Sequence, residues 1–208
     1  GHVTGSTVLK NIGVIGSVAA STNAGGLVGH AQGSTLENSF AAVEVSSDSS
    51  SVGGLGGWVY LGTITDSFSA GNVSGTTYVG GLAGYGTSVD VDNSYAIGAV
   101  SGSSDEVGGL VGRGTGSTLR NSHATGDLVA QDRIGGLIGL GDSVTIENSY
   151  STSTIDCSGC SYAGGLMGFS NSGSSLTLTG GSWKNHSSDD ADGCVGDWDV
   201  GEDCTLRN

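Results

Sequence analysis

An acidic segment close to the C-terminus has the densest set of side chains that could do chemistry. Seven carboxylates fall within 15 residues, from Asp189 to Asp203, and glycines separate them. Hard oxygen ligands on such loops suit Ca²⁺. The sequence Asp190-x-Asp192-Gly193 resembles the start of a calcium loop, although the spaced Glu of an EF-hand is absent. We expect calcium as the candidate cofactor, with a solvated acidic loop as the alternative. The candidate metal ligands are Asp190, Asp192, Asp197 and Asp199.

Four cysteines in the last quarter of the chain form the second candidate group: Cys157, Cys160, Cys194 and Cys204. Four thiols allow three pairings. A four-sulfur zinc site is one interpretation, but two and nine intervening residues match paired zinc knuckles poorly. Disulfides, with local pairs favoured, are the other interpretation, and they indicate an oxidising, extracellular setting.

The overall composition excludes several classes of protein. The 208 residues include 41 glycines, no proline, 20 acidic residues and 6 lysines or arginines, which gives a formal charge of −14. Collagen requires abundant proline, and no apolar run reaches the length of a transmembrane helix. Six scattered cations cannot form the basic surface that nucleic acid binds. We therefore expect no nucleic-acid partner and no membrane insertion in this chain.

Two short motifs recur along most of the sequence at a fixed distance. Gly-Gly-Leu-x-Gly begins at six positions separated by 28, 27, 28, 27 and 29 residues, and Asn/Asp-Ser-ring begins 13 residues after the first five of them. Repetition with a period of about 20 to 50 residues is typical of solenoids and related folds. The glycine motifs begin at Gly25, Gly53, Gly80, Gly108, Gly135 and Gly164. The second motif begins at Asn38, Asp66, Asn93, Asn121 and Asn148, and Asn11 extends it one step backward.

Three apolar columns lie at fixed places in the repeats, with Thr, Ser and charged residues between them. This alternation is the period-two pattern of β-strands. The first column, two residues before the Asn, is Leu9, Leu36, Ile64, Val91, Leu119 and Ile146. The second, seven residues after it, is Val18, Val45, Val73, Val100, Leu128 and Ile155. The third, in the glycine motif, is Leu27, Leu55, Leu82, Leu110, Leu137 and Leu166.

Such columns indicate stacking, because one repeat cannot bury its apolar face alone. The sequence predicts an all-β, parallel β-solenoid (β-helix) of about six coils of 27–29 residues, with three short strands per coil. Two half-length coils per repeat are an alternative, and a propeller fits less well because its blades need about 40 residues. We assign residues 1–185 to the solenoid and residues 186–208 to an acidic, disulfide-bearing segment packed on the last coil.

The Asn column, from Asn11 to Asn148, is expected to be a structural ladder. Its parity matches the flanking apolar positions, so the sequence predicts amides that point inward at a corner and hydrogen-bond from coil to coil. The ring-bearing column is expected to stack beside it. Gly-Gly before the Leu indicates a corner that needs positive φ or a backbone approach too close for a side chain. The ring-bearing residues are Phe40, Phe68, Tyr95, His123 and Tyr150.

Two outward columns beside the Asn column are candidates for function. A threonine row is a candidate for binding ice, but the charged column next to it favours ordinary solvated strand surface. That row is Thr35, Thr63, Thr118 and Thr145, interrupted by Asp90. The charged column is Lys10, Glu37, Thr65, Asp92, Arg120 and Glu147.

Catalysis would need a cluster of acids with a cation, as in β-helix enzymes that act on polysaccharides. The one candidate cluster is Asp90, Asp92, Arg120 and Glu147, for which a surface ion-pair row is the alternative. No loop insertion builds a cleft, and neither a Gly-x-Ser-x-Gly elbow nor a His-Glu-x-x-His helix occurs. We therefore expect a protein that is not an enzyme and has no catalytic residues.

The glycine motifs resemble a known family. Gly-Gly-Leu followed by Val-Gly, Ala-Gly, Ile-Gly or Met-Gly, and then by Asn-Ser-Tyr/Phe, is similar to the GLUG-motif repeats of microbial surface proteins. The resemblance covers about residues 5–185, and one copy departs from it with Gly at the variable position, at Gly56. The family implies an extracellular repeat module of large secreted or cell-surface proteins, such as adhesins and immunoglobulin-A-peptidase-type passenger regions. It supplies no catalytic residues to transfer.

The function expected from the sequence is mechanical and adhesive. We expect a non-catalytic stalk or adhesive segment of a large cell-surface protein, whose partners are other surface proteins, glycans or copies of itself. A subunit of a self-assembling extracellular filament is the first alternative, because open coil ends are strand edges. A polysaccharide-active β-helix enzyme is the second.

Overall fold

The fold consists of short parallel strands, as the repeat predicts. The computed structural model describes residues 1–157, 159–171, 176–180 and 182–183. Within these ranges the regular secondary structure is entirely β, in 31 strands that form four parallel sheets. No helix of the described ranges is long and apolar enough to span a membrane. The predicted segment 186–208 lies outside the described residues.

Each coil visits the four sheets in turn. Sheet 1 contains β1 (His2–Thr4), β5 (Val28–Gln32), β9 (Gly56–Tyr60), β14 (Ala83–Thr87), β19 (Val111–Thr115), β24 (Ile138–Asp142) and β29 (Met167–Ser170). Sheet 2 contains β2 (Val8–Lys10), β6 (Thr35–Glu37), β10 (Thr63–Thr65), β15 (Asp90–Asp92), β20 (Thr118–Arg120), β25 (Val144–Glu147) and β30 (Leu176–Thr179).

Sheet 3 starts with two long strands, β3 (Gly13–Ala20) and β7 (Phe40–Ser47). In each of the next four coils, two short strands take the place of one long strand. The remaining strands of this sheet are β11 (Phe68–Ser69), β12 (Val73–Gly75), β16 (Tyr95–Ala96), β17 (Val100–Gly102), β21 (His123–Ala124), β22 (Leu128–Val129), β26 (Tyr150–Ser151), β27 (Ile155–Asp156) and β31 (Ser182–Trp183). Sheet 4 contains β4 (Ala24–Gly25), β8 (Val52–Gly53), β13 (Val79–Gly80), β18 (Val107–Gly108), β23 (Arg133–Gly135) and β28 (Tyr162–Gly164).

The strand register confirms a β-solenoid of about six turns. Leu36 pairs with Ile64, and Ile64 pairs with Val91, so equivalent residues of successive repeats are direct partners. The side chains of these three residues are completely or almost completely buried. In the first coil, Leu9 and Val18 are only half-buried, because the described chain covers that coil from one side.

The number of strands per coil differs from the expectation of three. The Leu of each glycine motif lies at a bend between sheets 4 and 1, so two strands stand where one was predicted. The inward residues of sheet 4 stand immediately before the Gly-Gly pair and belong to none of the three predicted columns. Val52 pairs with Val79, and Val79 with Val107, and all three are fully buried. This column adds to the three predicted ones, as does the buried column of sheet 1 that contains Ala83 and Val111.

Glycine is required at both positions of the Gly-Gly pair because neighbouring atoms leave no space for a Cβ, and not because the backbone has a positive φ. None of the motif glycines in the described chain has a positive φ. A Cβ on Gly53 would overlap the carbonyl oxygen of Gly56, and one on Gly54 would overlap Ser69 Oγ and the carbonyl of Gly81. The second of the two predicted reasons for these glycines is therefore the correct one.

Candidate functional site

The corner between sheets 2 and 3 is formed by the Asn column, which we call the amide row. Its six residues all have φ between 46° and 58°, in the left-handed region. Asn and Asp tolerate this region better than other non-glycine residues. The left-handed backbone conformation therefore favours Asn or Asp at this position. The amide row is Asn11, Asn38, Asp66, Asn93, Asn121 and Asn148.

The prediction that these amides point inward is wrong, because all six residues are exposed. The left-handed residue reverses the strand alternation, so that its own side chain faces solvent. Outside the core, the amides still bond between coils at some steps. Asn38 Nδ2 donates to Asn11 Oδ1 at 2.6 Å, Asn93 Nδ2 donates to Asp66 Oδ1, and Asn121 Nδ2 donates to Asp92 Oδ1 at 2.9 Å.

The buried polar ladder is made by the next residue, a serine. Ser67 N–H donates to Ser94 Oγ at 3.1 Å, and Ser94 N–H donates to Ser122 Oγ at 3.1 Å. Each of these hydroxyls also donates to the carbonyl two residues before it, as Ser94 does to Asp92 at 2.8 Å. A serine in every Asn-Ser pair was the available signal for this ladder. The serine row is Ser39, Ser67, Ser94, Ser122 and Ser149, all buried.

The ring-bearing column stacks as predicted, but on the outer face of sheet 3. Successive ring centroids are 5.2, 4.9, 5.0 and 4.8 Å apart, and the planes are within 8° of parallel. His123 is packed between Tyr95 and Tyr150, and burial lowers its pKa below the ordinary value. We call this set the ring row: Phe40, Phe68, Tyr95, His123 and Tyr150.

The candidate catalytic cluster is spread along the exposed face of sheet 2. Asp92 and Arg120 are register partners, and Arg120 Nε lies 2.8 Å from Glu147 Oε2. Lys10 and Glu37 form a similar pair at 2.6 Å. These are solvated ion pairs, each worth little. The predicted threonine row is in register on the same face, with Asp90 in its third place.

A second group, which we call the arginine cluster, lies where sheets 4 and 1 meet. Glu106, whose side chain is only 5% exposed, has Oε1 at 3.6 Å from Arg113 Nη1 and 3.5 Å from Arg133 Nη1. Arg133 also lies 3.6 Å from Asp105 and 3.4 Å from Asp132. Two of the protein's six lysine and arginine side chains therefore meet at one buried carboxyl group.

The two guanidinium groups of the cluster also cover aromatic rings. Arg113 Cζ is 5.6 Å from the centroid of Tyr78 and 5.8 Å from that of Tyr85. Arg133 Cζ is 5.8 Å from Tyr162 and 5.4 Å from Phe169. These distances are those of cation–π contacts, so the cluster ties several successive coils together.

Burial dominates the electrostatics of the arginine cluster. It raises the pKa of Glu106 to about 7, against the opposing effect of Arg113 and Arg133. Burial, followed by a hydrogen bond with Asp132, also raises the pKa of Asp105. A hydrogen bond from Ser161 is the main cause that lowers the pKa of Asp132. Glu106 is thus partly protonated at neutral pH.

Several polar atoms of the cluster are buried without a hydrogen-bond partner. They are Glu106 Oε2, Arg113 Nε and Arg133 Nε. Because these atoms have almost no accessible surface, a ligand could reach them only by displacing the side chains above them. We interpret the cluster as a structural group. Sequence analysis missed it because the members of its columns differ in residue type.

Of the four predicted disulfide cysteines, two are in the described chain. Cys157 and Cys160 have Cα atoms 5.5 Å apart, which is within the range that a disulfide spans, so this local pairing is compatible with the structure. Cys194 and Cys204 lie outside the described residues. So do the predicted calcium ligands Asp190, Asp192, Asp197 and Asp199, which therefore stay predictions. Within the described ranges no group of three metal-ligating side chains comes together.

These observations define the class as a parallel β-solenoid whose coils are single repeats. The model of the GLUG motif matches residues 20–46 and 104–129. Two regions of this chain therefore match the GLUG motif, and GLUG repeats occur in bacterial surface and secreted proteins. No curated protein matches the chain.

One solved structure has the same fold over most of this chain. It is the crystal structure of a "putative immunoglobulin A1 protease" from Bacteroides ovatus, with a TM-score of 0.64 and 20% sequence identity. The match covers 92% of this chain and 66% of that chain, so this chain spans less than two thirds of that protein's length. At this identity the likeness establishes the fold alone.

Proposed function

We propose that this chain is a non-catalytic adhesive segment of a large extracellular surface protein. Three features support the proposal. GLUG repeats occur in bacterial surface and secreted proteins, a solenoid of parallel coils is a stiff rod, and a charge of −14 opposes non-specific association.

The observation that carries this proposal is the uniformity of the outer columns. The ring row presents one ring per coil over four stacking steps of 4.8–5.2 Å, and the amide row presents one exposed amide or carboxylate beside each ring. Repetition of one group along a rod suits many weak contacts that act together. It does not bring different reactive groups to one point.

The absence of catalysis is part of the proposal. Asp92, Arg120 and Glu147 are solvated and already engaged by neighbours on the open face of sheet 2. General acid–base catalysis needs two positioned groups around one substrate atom, which a flat face supplies poorly.

A binding screen tests the proposal. Immobilised protein is exposed to a glycan array, to extracellular-matrix proteins and to intact cells, beside a ring-row double variant with Tyr95→Ala and Tyr150→Ala. A control variant, Tyr60→Ala, removes a ring from the outer face of sheet 1. We expect binding that the double variant loses and the control keeps. Binding to none of these surfaces would overturn the proposal, as would polysaccharide cleavage that Arg120→Ala abolishes.

Calcium binding at the C-terminal aspartates is a separate proposal, supported by the donor set and its glycine-rich spacing. Calorimetric titration of the chelated protein tests it. We expect heat at calcium concentrations up to the millimolar range, and a flat titration would end the idea.

A further inference from the structure

The ring row and the amide row together form a narrow strip, which we call the binding strip, along the corner of sheets 2 and 3. Each coil from the second to the sixth contributes one ring and, two residues earlier, one exposed amide or carboxylate. The step between equivalent groups is the stacking distance of the rings, 4.8–5.2 Å. A ligand lying along the rod therefore meets the same pair of groups five times.

The rings of the strip present their edges and not their faces. Each face in the middle of the row is covered by the next ring in nearly parallel orientation. Aromatic edges carry partial positive charge, so they attract oxygen atoms. Tyr95 and Tyr150 add hydroxyl groups, and His123 adds ring nitrogens. The strip thus matches a surface rich in hydroxyl and ether oxygens.

The charge beside the strip selects against anions. Asp66 interrupts the amide row, and Glu37, Asp92 and Glu147 stand one residue before it on sheet 2. Only Lys10 and Arg120 offset them there. With a net charge of −14 over the whole chain, sulfated or uronic-acid polymers are repelled. The partner that complements this strip is uncharged.

The shape of the strip selects a linear partner. Two neighbouring columns are roughly 7 Å apart and the five rings span roughly 20 Å, an area on the order of 150 Å². A stable protein interface needs about 800 Å² per partner. A single extended polymer chain, by contrast, needs only such a line of repeated contacts.

We propose that the binding strip holds one extended, uncharged polysaccharide chain that runs parallel to the rod axis, with one sugar per coil. Extended β-linked glycans advance by nearly the coil pitch per sugar, so successive sugars stay in step with successive ring–amide pairs. Helical α-linked glycans curve away after one or two contacts. This inference names the ligand class of the adhesive surface proposed above and rests on that proposal.

Oligosaccharide length is the sharpest test. Calorimetry measures cello-oligosaccharides and chito-oligosaccharides of two to eight sugars against the wild-type protein. We expect affinity to rise roughly tenfold or more between two and five sugars, and then to level off because the row has five rings. Amylose and polygalacturonate are the negative controls. Binding that ignores length, or equal binding of amylose, would overturn the inference.

Matched variants separate this inference from the broader proposal. Tyr95→Ala removes the central ring, and Asn93→Gly removes an amide while keeping the positive φ. Each is expected to weaken binding of the pentasaccharide several-fold, whereas Tyr60→Ala on sheet 1 leaves it unchanged, with thermal unfolding confirming that all three variants fold. If neither oligosaccharide series binds while the ring row still mediates adhesion to cells or proteins, the glycan inference fails and the adhesive function stands. If ring-row variants change nothing on any surface, both fail.

Discussion

The ring row on sheet 3 and the arginine cluster on sheets 4 and 1 share one stacking arrangement but differ in the kinds of side chain that are stacked. In both, side chains one repeat apart stand over one another at the coil pitch. The ring row repeats a neutral ring at every step. The cluster column instead runs through Tyr78, Glu106, Arg133 and Tyr162.

The difference shows which groups a solenoid can stack. Identical neutral groups about 5 Å apart attract each other, by ring packing or hydrogen bonds. The same residue type can therefore be repeated from coil to coil. Identical charges at that distance repel, so a charged column must alternate in sign. Alternation gives the cluster its ion pairs, and burial makes it sensitive to pH. In the ring row, the one imidazole is that of His123.

The largest expected effect is a pH dependence that comes from Glu106. Its folded pKa of about 7 is above the ordinary value of 4.5, so the folded state binds the proton more tightly than the unfolded state. Its contribution to stability is therefore greatest below pH 4.5 and is lost as pH rises to above 7, by about 3 kcal/mol. The groups that face it are Arg113, Arg133, Asp105 and Asp132.

Chemical denaturation between pH 4.5 and 8 measures this effect as a difference between the wild type and Glu106→Gln. The variant should lack the Glu106 contribution. Burial lowers the pKa values of His30 and His123, so their protonation destabilises both proteins toward low pH. This effect is the same in the wild type and the variant and cancels in the difference. Parallel curves for the two proteins would show that Glu106 does not titrate in this range.

The next effect concerns the buried serine row. Ser94→Ala removes a hydroxyl that accepts from Ser67 N–H and donates to the Asp92 carbonyl. The buried Ser67 N–H then loses its acceptor, whereas the Asp92 carbonyl keeps the hydrogen bond from Asp66 N–H. We expect a cost of about 2 kcal/mol in the free energy of unfolding, because a buried donor is left unpaired. Thr125→Ala, at an exposed position between β21 and β22, is the control and should change little. Equal changes in urea denaturation would contradict the ladder.

A smaller loss is expected in the ring row. Tyr95→Ala removes two stacking contacts, with Phe68 and His123, and should cost about 1–2 kcal/mol. Tyr95→Phe keeps both and should be nearly neutral. If the two variants are equally destabilised in urea, the hydroxyl group and not the stacking matters.

The smallest effect is a gain in stability. Asp66 accepts a hydrogen bond from Asn93 but has no amide hydrogen to donate to Asn38. Asp66→Asn keeps the left-handed conformation and supplies that donor, so we expect about 0.5 kcal/mol of stabilisation. Thermal unfolding measures it, and a lower melting temperature would show that the carboxylate has another role.

Much of this fold could be predicted from the sequence because its information is periodic. The columns of Leu36, Val45 and Leu55 identified the parallel coils, since each position repeats its residue type. The direction of the Asn side chains was predicted wrongly because period-two counting assumes an unbroken strand, and the left-handed residue at Asn38 breaks it.

The arginine cluster was invisible for a different physical reason. Tyr78, Glu106 and Arg133 are related by complementary charge and shape and not by likeness, so a comparison of repeats by residue type does not connect them. Knowledge of the exact register, in which these residues are neighbours, was needed to bring them together.

Cysteine cross-linking tests the stacked register most directly. Thr63 and Asp90 are register partners on adjacent coils, so their Cα atoms are about 5 Å apart, a separation that a disulfide spans. The double variant Thr63→Cys/Asp90→Cys should cross-link under mild oxidation, as mapped by mass spectrometry. Thr63→Cys with Thr118→Cys, two coils away, and Thr63→Cys with Asp92→Cys, two residues out of register, should not. Cross-linking of either mismatched pair in preference to the matched one would contradict the coil-on-coil arrangement.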